Sequence, residues 1–209
     1  MPTTGGGTLF VISAPSGTGK STLARRLMES VPGIAFSVSF TTRPRRAGEE
    51  SGREYHFVDD DRFDAMVAAG GFLEWAPVFG RRYGTGREAT DARLATGIDL
   101  LLDIDVQGAA QVRASGRDSV SIFILPPDYA TLESRLRGRG SEDPADLAAR
   151  LLEARREAMG YDLFDYVVVN ADLEAASQEL VAIVRAERAR VSRRKGRVME
   201  ILDTFPAQD

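Results

Sequence analysis

The strongest constraint in this sequence is an apolar run that stops at a glycine-rich turn and restarts as a helix. Leu9-Phe10-Val11-Ile12 leads into Ser13-Ala14-Pro15-Ser16-Gly17-Thr18-Gly19-Lys20-Ser21-Thr22. An unbroken apolar run of this length fits a strand buried on both faces. The segment behind it has the spacing G-x-x-x-x-G-K-[ST] of a phosphate-binding loop, with Ala14 in place of the first glycine. Chemistry explains the residue types. Gly17 and Gly19 let backbone N–H groups turn inward around a phosphate with no Cβ in the way. The helix that follows adds a partial positive charge at its N-terminus. Lys20 can reach the outer phosphates of a nucleoside triphosphate, and the Ser21 hydroxyl suits Mg²⁺.

The helix signal runs from Lys20 to about Ser30 and ends at Pro32-Gly33. Three further apolar runs, Leu100 to Leu102, Val120 to Leu125 and Val167 to Val169, alternate with helical patterns. Strands alternating with helices predict βαβ units and a mainly parallel sheet. Residues 35–97 read differently. They are rich in Ser, Thr, Arg, Gly and Glu, with a short alternating piece at Tyr55-His56-Phe57-Val58 and a strand candidate from Phe72 to Phe79. Helical spacing is predicted from Asp59 to Gly70 and from Arg87 to Thr96. The chain is therefore expected to divide into a core of residues 1–34 and 98–209 and an insertion of residues 35–97. The charged, Arg-rich stretch 138–160 is expected to be a lid within the core.

Composition narrows the classes. At 209 residues the chain can bury about 70% of its unfolded surface without a disulfide or metal staple. It has no cysteine and one histidine, which excludes thiol nucleophiles, Cys-ligated metals and multi-His metal sites. A formal charge of −4 argues against nucleic-acid binding as the main function. No stretch approaches the roughly 18 apolar residues of a membrane span, and the first residues lack the parts of a signal peptide. The expected location is the cytoplasm, with no membrane partner.

Five more segments complete the pattern. Ser37-Val38-Ser39-Phe40-Thr41-Thr42-Arg43-Pro44-Arg45-Arg46-Ala47-Gly48-Glu49 is followed by Gly52-Arg53-Glu54-Tyr55. Phe72-Leu73-Glu74-Trp75-Ala76 and Tyr83-Gly84-Thr85 come next, then Leu102-Asp103-Ile104-Asp105-Val106-Gln107-Gly108. With the loop at 13–21, the Leu136-Arg137-Gly138-Arg139-Gly140 piece and Val168-Val169-Asn170-Ala171-Asp172, this ordered set resembles the guanylate kinases over about residues 8–190. Standing alone, the arginines at 43–46 read as a solvated basic turn, and Tyr55, Tyr83 and Glu74 as strand packing and a surface charge. Their order lifts them. Asp103 and Asp105 would share a strand face at period 2.

The resemblance implies an α/β fold: a P-loop NTPase-type parallel sheet core flanked by helices, an inserted mixed α+β monophosphate-binding domain and a helical lid. It implies transfer of the ATP γ-phosphoryl to GMP, and to dGMP, giving GDP and ADP. The ATP site would comprise Ala14, Pro15, Ser16, Gly17, Thr18, Gly19, Lys20, Ser21, Thr22 and Asn170. The GMP site would comprise Ser39, Arg43, Arg46, Tyr55, Glu74, Tyr83, Thr85 and Asp103. Glu74 matches the carboxylate that reads guanine, accepting from a donor pair that adenine lacks. Ser39 and Thr85 match positions on the O6 side, and Arg43, Arg46, Tyr55 and Tyr83 match the phosphate holders. Ser21 and Asp103 would attend Mg²⁺. Lys20, Arg43, Arg46, Arg135, Arg139 and Arg150 would carry catalysis, the last three from the lid.

A non-catalytic phosphopeptide-binding module of the same family is the alternative reading, although such modules degrade the loop that here keeps Gly19-Lys20-Ser21. Another P-loop enzyme with a different acceptor is a second alternative. His56 and Trp75 read as structural. Arg185 to Arg197 carries seven basic residues against Glu187 and reads as a solvated terminal helix. Monomer and homodimer both stay open.

Overall fold

The computed structural model describes residues 6–78, 80–138 and 144–206. Its centre is β1 (Leu9–Ser13), buried at every residue as the apolar run predicts. The chain then makes the glycine turn and enters α1 (Lys20–Ser30), which buries Leu23, Ala24 and Leu27. It returns as β2 (Ile34–Phe36). This short strand crosses the expected junction at residues 34–35, so Ala35 and Phe36 belong to the core sheet.

The polar segment supplies β3 (Phe40–Thr41), β4 (His56–Phe57), α2 (Asp60–Ala68), β5 (Phe72–Val78), β6 (Arg81–Gly86) and α3 (Arg87–Ala95). Asp59 caps α2 by accepting from Arg62 N–H at 2.8 Å. The four strands form a separate mixed sheet in the order β4-β3-β6-β5. Phe40 is its packing centre. It stacks on His56 with centroids 4.6 Å apart, meets Phe72 edge-on, and lies so close to Gly86 that a Cβ there would stand 2.6 Å from the ring. The large side chain is thus accommodated by a glycine opposite. Trp75 packs edge-on against buried Phe63.

The chain re-enters the core at β7 (Asp99–Asp103), then runs through α4 (Val106–Ala114), β8 (Val120–Leu125), α5 (Tyr129–Arg137), α6 (Pro144–Ala158), β9 (Tyr166–Val169), α7 (Leu173–Arg188) and α8 (Val191–Leu202). The core sheet has the order β2-β7-β1-β8-β9, and every pair is parallel. Its two faces are filled separately. Phe10, Ile12, Leu101, Ile122, Ile124 and Val168 meet α1 and α7, and Leu9, Val11, Leu100 and Leu102 meet α3 and α4. A third cluster joins α5 and α6 through Leu132, Leu136, Leu147, Leu151 and Ala154.

The basic segment near the C-terminus is two helices, not one. Arg188 pairs with buried Asp99 at 2.7 Å and Arg190 with buried Glu187 at 2.7 Å, while Arg193 lies 3.5 Å from Asp118. These three arginines bind the chain to itself, and Arg194, Lys195 and Arg197 remain exposed. Among the described residues no helix is long and apolar enough to cross a membrane.

Candidate active site

Parallel register places the site. Ile12 on β1 pairs with Asp103 at the end of β7, so the glycine loop and this carboxylate leave the sheet side by side. Lys20, the first residue of α1, lies 2.5 Å from Asp103 Oδ1 and donates to the Ile104 carbonyl at 3.0 Å. Asp105 does not continue the strand. It caps α4 by accepting from Gly108 N–H at 2.7 Å, so the two acids do not share a strand face.

The loop conformation requires its glycines. Gly17 and Gly19 have φ of 91° and 93°. A Cβ at Gly17 would stand 2.8 Å from Leu136 Cδ2, and one at Gly19 2.6 Å from Asn170 Nδ2. Thr18 closes the turn, its hydroxyl donating to Pro15 O at 2.9 Å. Buried Asn170 follows β9 and donates to Thr18 O at 2.6 Å. Arg135 on α5 donates to Thr18 O at 3.3 Å and to Asn170 O at 3.0 Å. The sequence suggests that Arg135 belongs to a moving lid. Here its planar fork donates to two carbonyls and so holds the loop's backbone. Arg150 lies on α6 with no ion-pair partner among the described residues, and Arg139 lies outside them.

A second half-site faces this loop. A cleft of about 390 Å³ between the two sheets is lined by Ser39, Tyr55, Thr85 and Asp103, together with Arg53 and Glu54. Behind Thr85, Glu74 is only 7% exposed, and the Thr85 hydroxyl donates to its Oε1 at 2.5 Å. Strands β5 and β6 set this contact, since Glu74 and Thr85 are paired residues of the ladder. Helix α4 approaches from the core at Gly108, where a Cβ would stand 3.2 Å from Glu74 Oε2. Burial pushes the Glu74 carboxyl above the usual carboxylate range; Thr85 works against the shift and nearby Asp105 adds to it.

The arginines gather at the outer edge of the same sheet. Arg43 pairs with Glu49 at 2.7 Å and lies over the rings of Tyr55 and Phe57, at 5.4 and 5.6 Å from their centroids. Its partner Glu49 is held below its ordinary value, first by the Arg43 bond and then by the Arg46 N–H. Tyr83 meets the Tyr55 ring edge-on at 5.8 Å. The Arg46 side chain is exposed, while its backbone N–H donates to Glu49 Oε2 at 2.8 Å and its carbonyl accepts from Glu49 N–H at 3.2 Å.

The comparisons with known proteins agree over nearly the whole chain. The guanylate kinase family model matches residues 6–187. The chain belongs to the guanylate kinase family. It is 50% identical to the guanylate kinase of Aromatoleum aromaticum over 203 residues, covering 97% of this chain and 99% of the relative. It is 49% identical to that of Neisseria gonorrhoeae over 197 residues, covering 94% and 96%. Among solved structures, the guanylate kinase of Anaplasma phagocytophilum matches with a TM-score of 0.72 at 35% identity, covering 98% of both chains. The fold is accordingly the P-loop type with a parallel core sheet, and the chain is a nucleoside monophosphate kinase.

Three residues around this candidate site lie beyond those the sequence singles out. Glu49 holds Arg43 in place. Gln111 on α4 joins the core to β5 by accepting from Trp75 N–H at 3.1 Å and donating to Trp75 O at 3.0 Å. Glu157 on α6 accepts from Ser16 N–H at 3.3 Å. Glu49, six residues from Arg43, gives a local hint. Gln111 and Glu157 give none, because their partners are distant in the chain. Among the described residues no group of three or more His, Asp or Glu is arranged to hold a metal. A hydroxyl at Ser21 and a carboxylate at Asp103 still suit Mg²⁺, which takes one or two protein oxygens and fills its shell with phosphate and water.

Proposed function

We propose that this kinase binds ATP on the loop of residues 14–22 and GMP in the cleft between the two sheets, and transfers the γ-phosphoryl group between them. The observation that carries the reading is the bond from Thr85 to buried Glu74, Thr85 lining a cleft that also reaches Asp103, the ion-pair partner of Lys20. A buried carboxylate accepts well from the N1–H and 2-amino donors of guanine, Ser39, which lines the same cleft as Thr85, would donate to O6, and Thr85 would join it there by turning its hydroxyl from Glu74 to the base. A pocket built on such bonds rejects the wrong base by about 10⁴.

In the transfer, an oxygen of the GMP phosphate attacks the γ-phosphorus of ATP. The bond to the β–γ bridging oxygen breaks, and ADP leaves. The attacking oxygen is already anionic, so no general base is needed. Catalysis then rests on positioning and charge neutralisation. Lys20 would meet the β- and γ-phosphates, and the loop N–H groups would hold the rest of the donor. Arg43, with Arg46 and the tyrosines Tyr55 and Tyr83, holds the acceptor phosphate and offsets repulsion between two anions. Mg²⁺, held by Ser21 and Asp103 with the phosphates, supplies further neutralisation of the donor when bound. Arg135, beside the loop, and Arg139 and Arg150, from a lid of residues 138–160, would meet the transferring group, and the insertion of residues 35–97 would close on the core to exclude water. A cytoplasmic location fits this chemistry.

The test is a coupled ADP-release assay with ATP and Mg²⁺, comparing GMP, dGMP, AMP, CMP and UMP as acceptors. Release that requires a guanine acceptor and disappears in Lys20→Ala is the expected result. Turnover with another base would mean that the base-reading role of Ser39, Glu74 and Thr85 is wrong.

A further inference from the structure

In the glycine-rich loop proposed to hold the nucleotide phosphates, one N–H holds a carboxylate of the protein itself. Glu157 Oε2 accepts from Ser16 N–H at 3.3 Å, across 141 residues of chain. Glu157 lies in the last turn of α6, beside Arg155 and Arg156. A helix C-terminus is an unfavourable place for a negative charge, so local helix electrostatics does not explain it. Tertiary packing does. Just beyond α6, a Cβ at Gly160 would stand 2.9 Å from Val106 Cγ1, and Arg113 donates to Leu163 O at 2.5 Å. The segment just beyond α6 is thereby held against α4, which brings Glu157 to the mouth of the loop. At its other side, α6 shares an apolar cluster with Leu132 and Leu136, the two residues that crowd Gly17. Burial, with Glu153 and Asp105, pushes the Glu157 carboxyl upward, while Ser16 N–H and Lys20 pull it down.

We propose that Glu157 is a positioning residue that occupies the anion seat at Ser16 and is displaced when a nucleotide phosphate takes that seat, moving the base of α6. One N–H cannot serve two anionic oxygens, and two such oxygens at contact repel. Nucleotide binding therefore works against this contact. The same displacement transmits the arrival of phosphate to the helix that carries Arg150. Glu157 lowers nucleotide affinity and couples occupancy of the loop to the position of α6. This rests on the loop being the nucleotide site.

The test is calorimetric titration of ADP, in EDTA and again with Mg²⁺, into wild-type protein, Glu157→Gln, Glu157→Asp and Glu153→Gln. Metal-free ADP is expected to bind Glu157→Gln roughly five- to tenfold more tightly, the scale of one competing charged hydrogen bond. Glu157→Asp, whose carboxylate is retracted, should fall between. Glu153→Gln, on the same helix but without a bond to the loop, should stay within about twofold of wild type. In the steady state KM for ATP should fall in Glu157→Gln while KM for GMP holds. Hydrogen exchange in the last turn of α6 should rise with ADP in the wild type and already be high in Glu157→Gln. Unchanged or weaker ADP binding in a Glu157→Gln protein that melts like wild type would overturn the proposal. Weakening confined to the Mg²⁺ titration would overturn it too, by assigning the carboxylate to the cation. A wild-type protein that takes up no ADP would sink the nucleotide reading of the loop as well.

Discussion

Glu74 carries opposing demands in one side chain. Its burial penalises the charge, and its proposed task requires it. Because folding raises this carboxyl, its ionisation works against the native state above the raised value, and that penalty fades as pH falls through it. Glu74→Gln should therefore raise Tm by roughly 2–4 °C at neutral pH, and by less in acid, as a calorimetric melt would record. The same variant should lower kcat/KM for GMP by about 100-fold or more, since one acceptor becomes a donor facing the guanine N–H groups. In the wild type, KM for GMP should rise as pH drops through the Glu74 transition while KM for ATP changes less. Gly19 makes the complementary case. Any Cβ there meets Asn170 at a backbone angle that favours glycine, so Gly19→Ala should raise KM for ATP roughly tenfold. Initial rates at saturating GMP would show it.

At the scale of elements, α4 is the bridge between the two sheets. Its N-terminus is capped by Asp105 and reaches Glu74 through Gly108, and one turn later Gln111 takes both backbone groups of Trp75. Glu74 is therefore aimed by the core as well as by its own strand. Gln111→Ala leaves two partly buried backbone groups without partners, a cost of about 2 kcal/mol. Tm should fall by roughly 4–8 °C. KM for GMP should rise more than kcat falls, because the acceptor pocket loosens while the donor loop stays intact. A thermal melt paired with kinetics at several GMP concentrations separates the effects.

Across the whole molecule, the last long helix locks the first and middle strands. Asp99 at the start of β7 accepts from Thr8 N–H at 2.6 Å and from Arg188 at the end of α7. This ties three distant stretches of chain on the side of the sheet away from the phosphate loop. Arg188→Ala would leave a carboxylate that is 5% exposed with one backbone donor. The expected cost is about 2 kcal/mol, below the range for fully buried pairs because Arg188 is itself 31% exposed. Denaturant titration should show a lower midpoint with an unchanged slope, and kcat should hold because the site lies at the opposite end of the strands.

Much of this was legible in the residues alone. A continuous apolar strand followed by Gly-x-Gly-Lys-Ser has few local solutions, because two positions need left-handed backbone and one needs an ammonium at a helix start. The alternation of later strands and helices made the parallel core readable, and the ordered motifs made the family readable. What tertiary structure decided were the contacts between residues far apart in sequence. No local pattern says that Arg135 grips the carbonyls of Thr18 and Asn170, that Asp105 turns aside to cap α4, or that Arg188 reaches back to Asp99. Periodicity reports which face of an element is apolar. It does not report which distant polar group will need a partner once those faces close, and the arrangement of Glu157 over the loop arises only there.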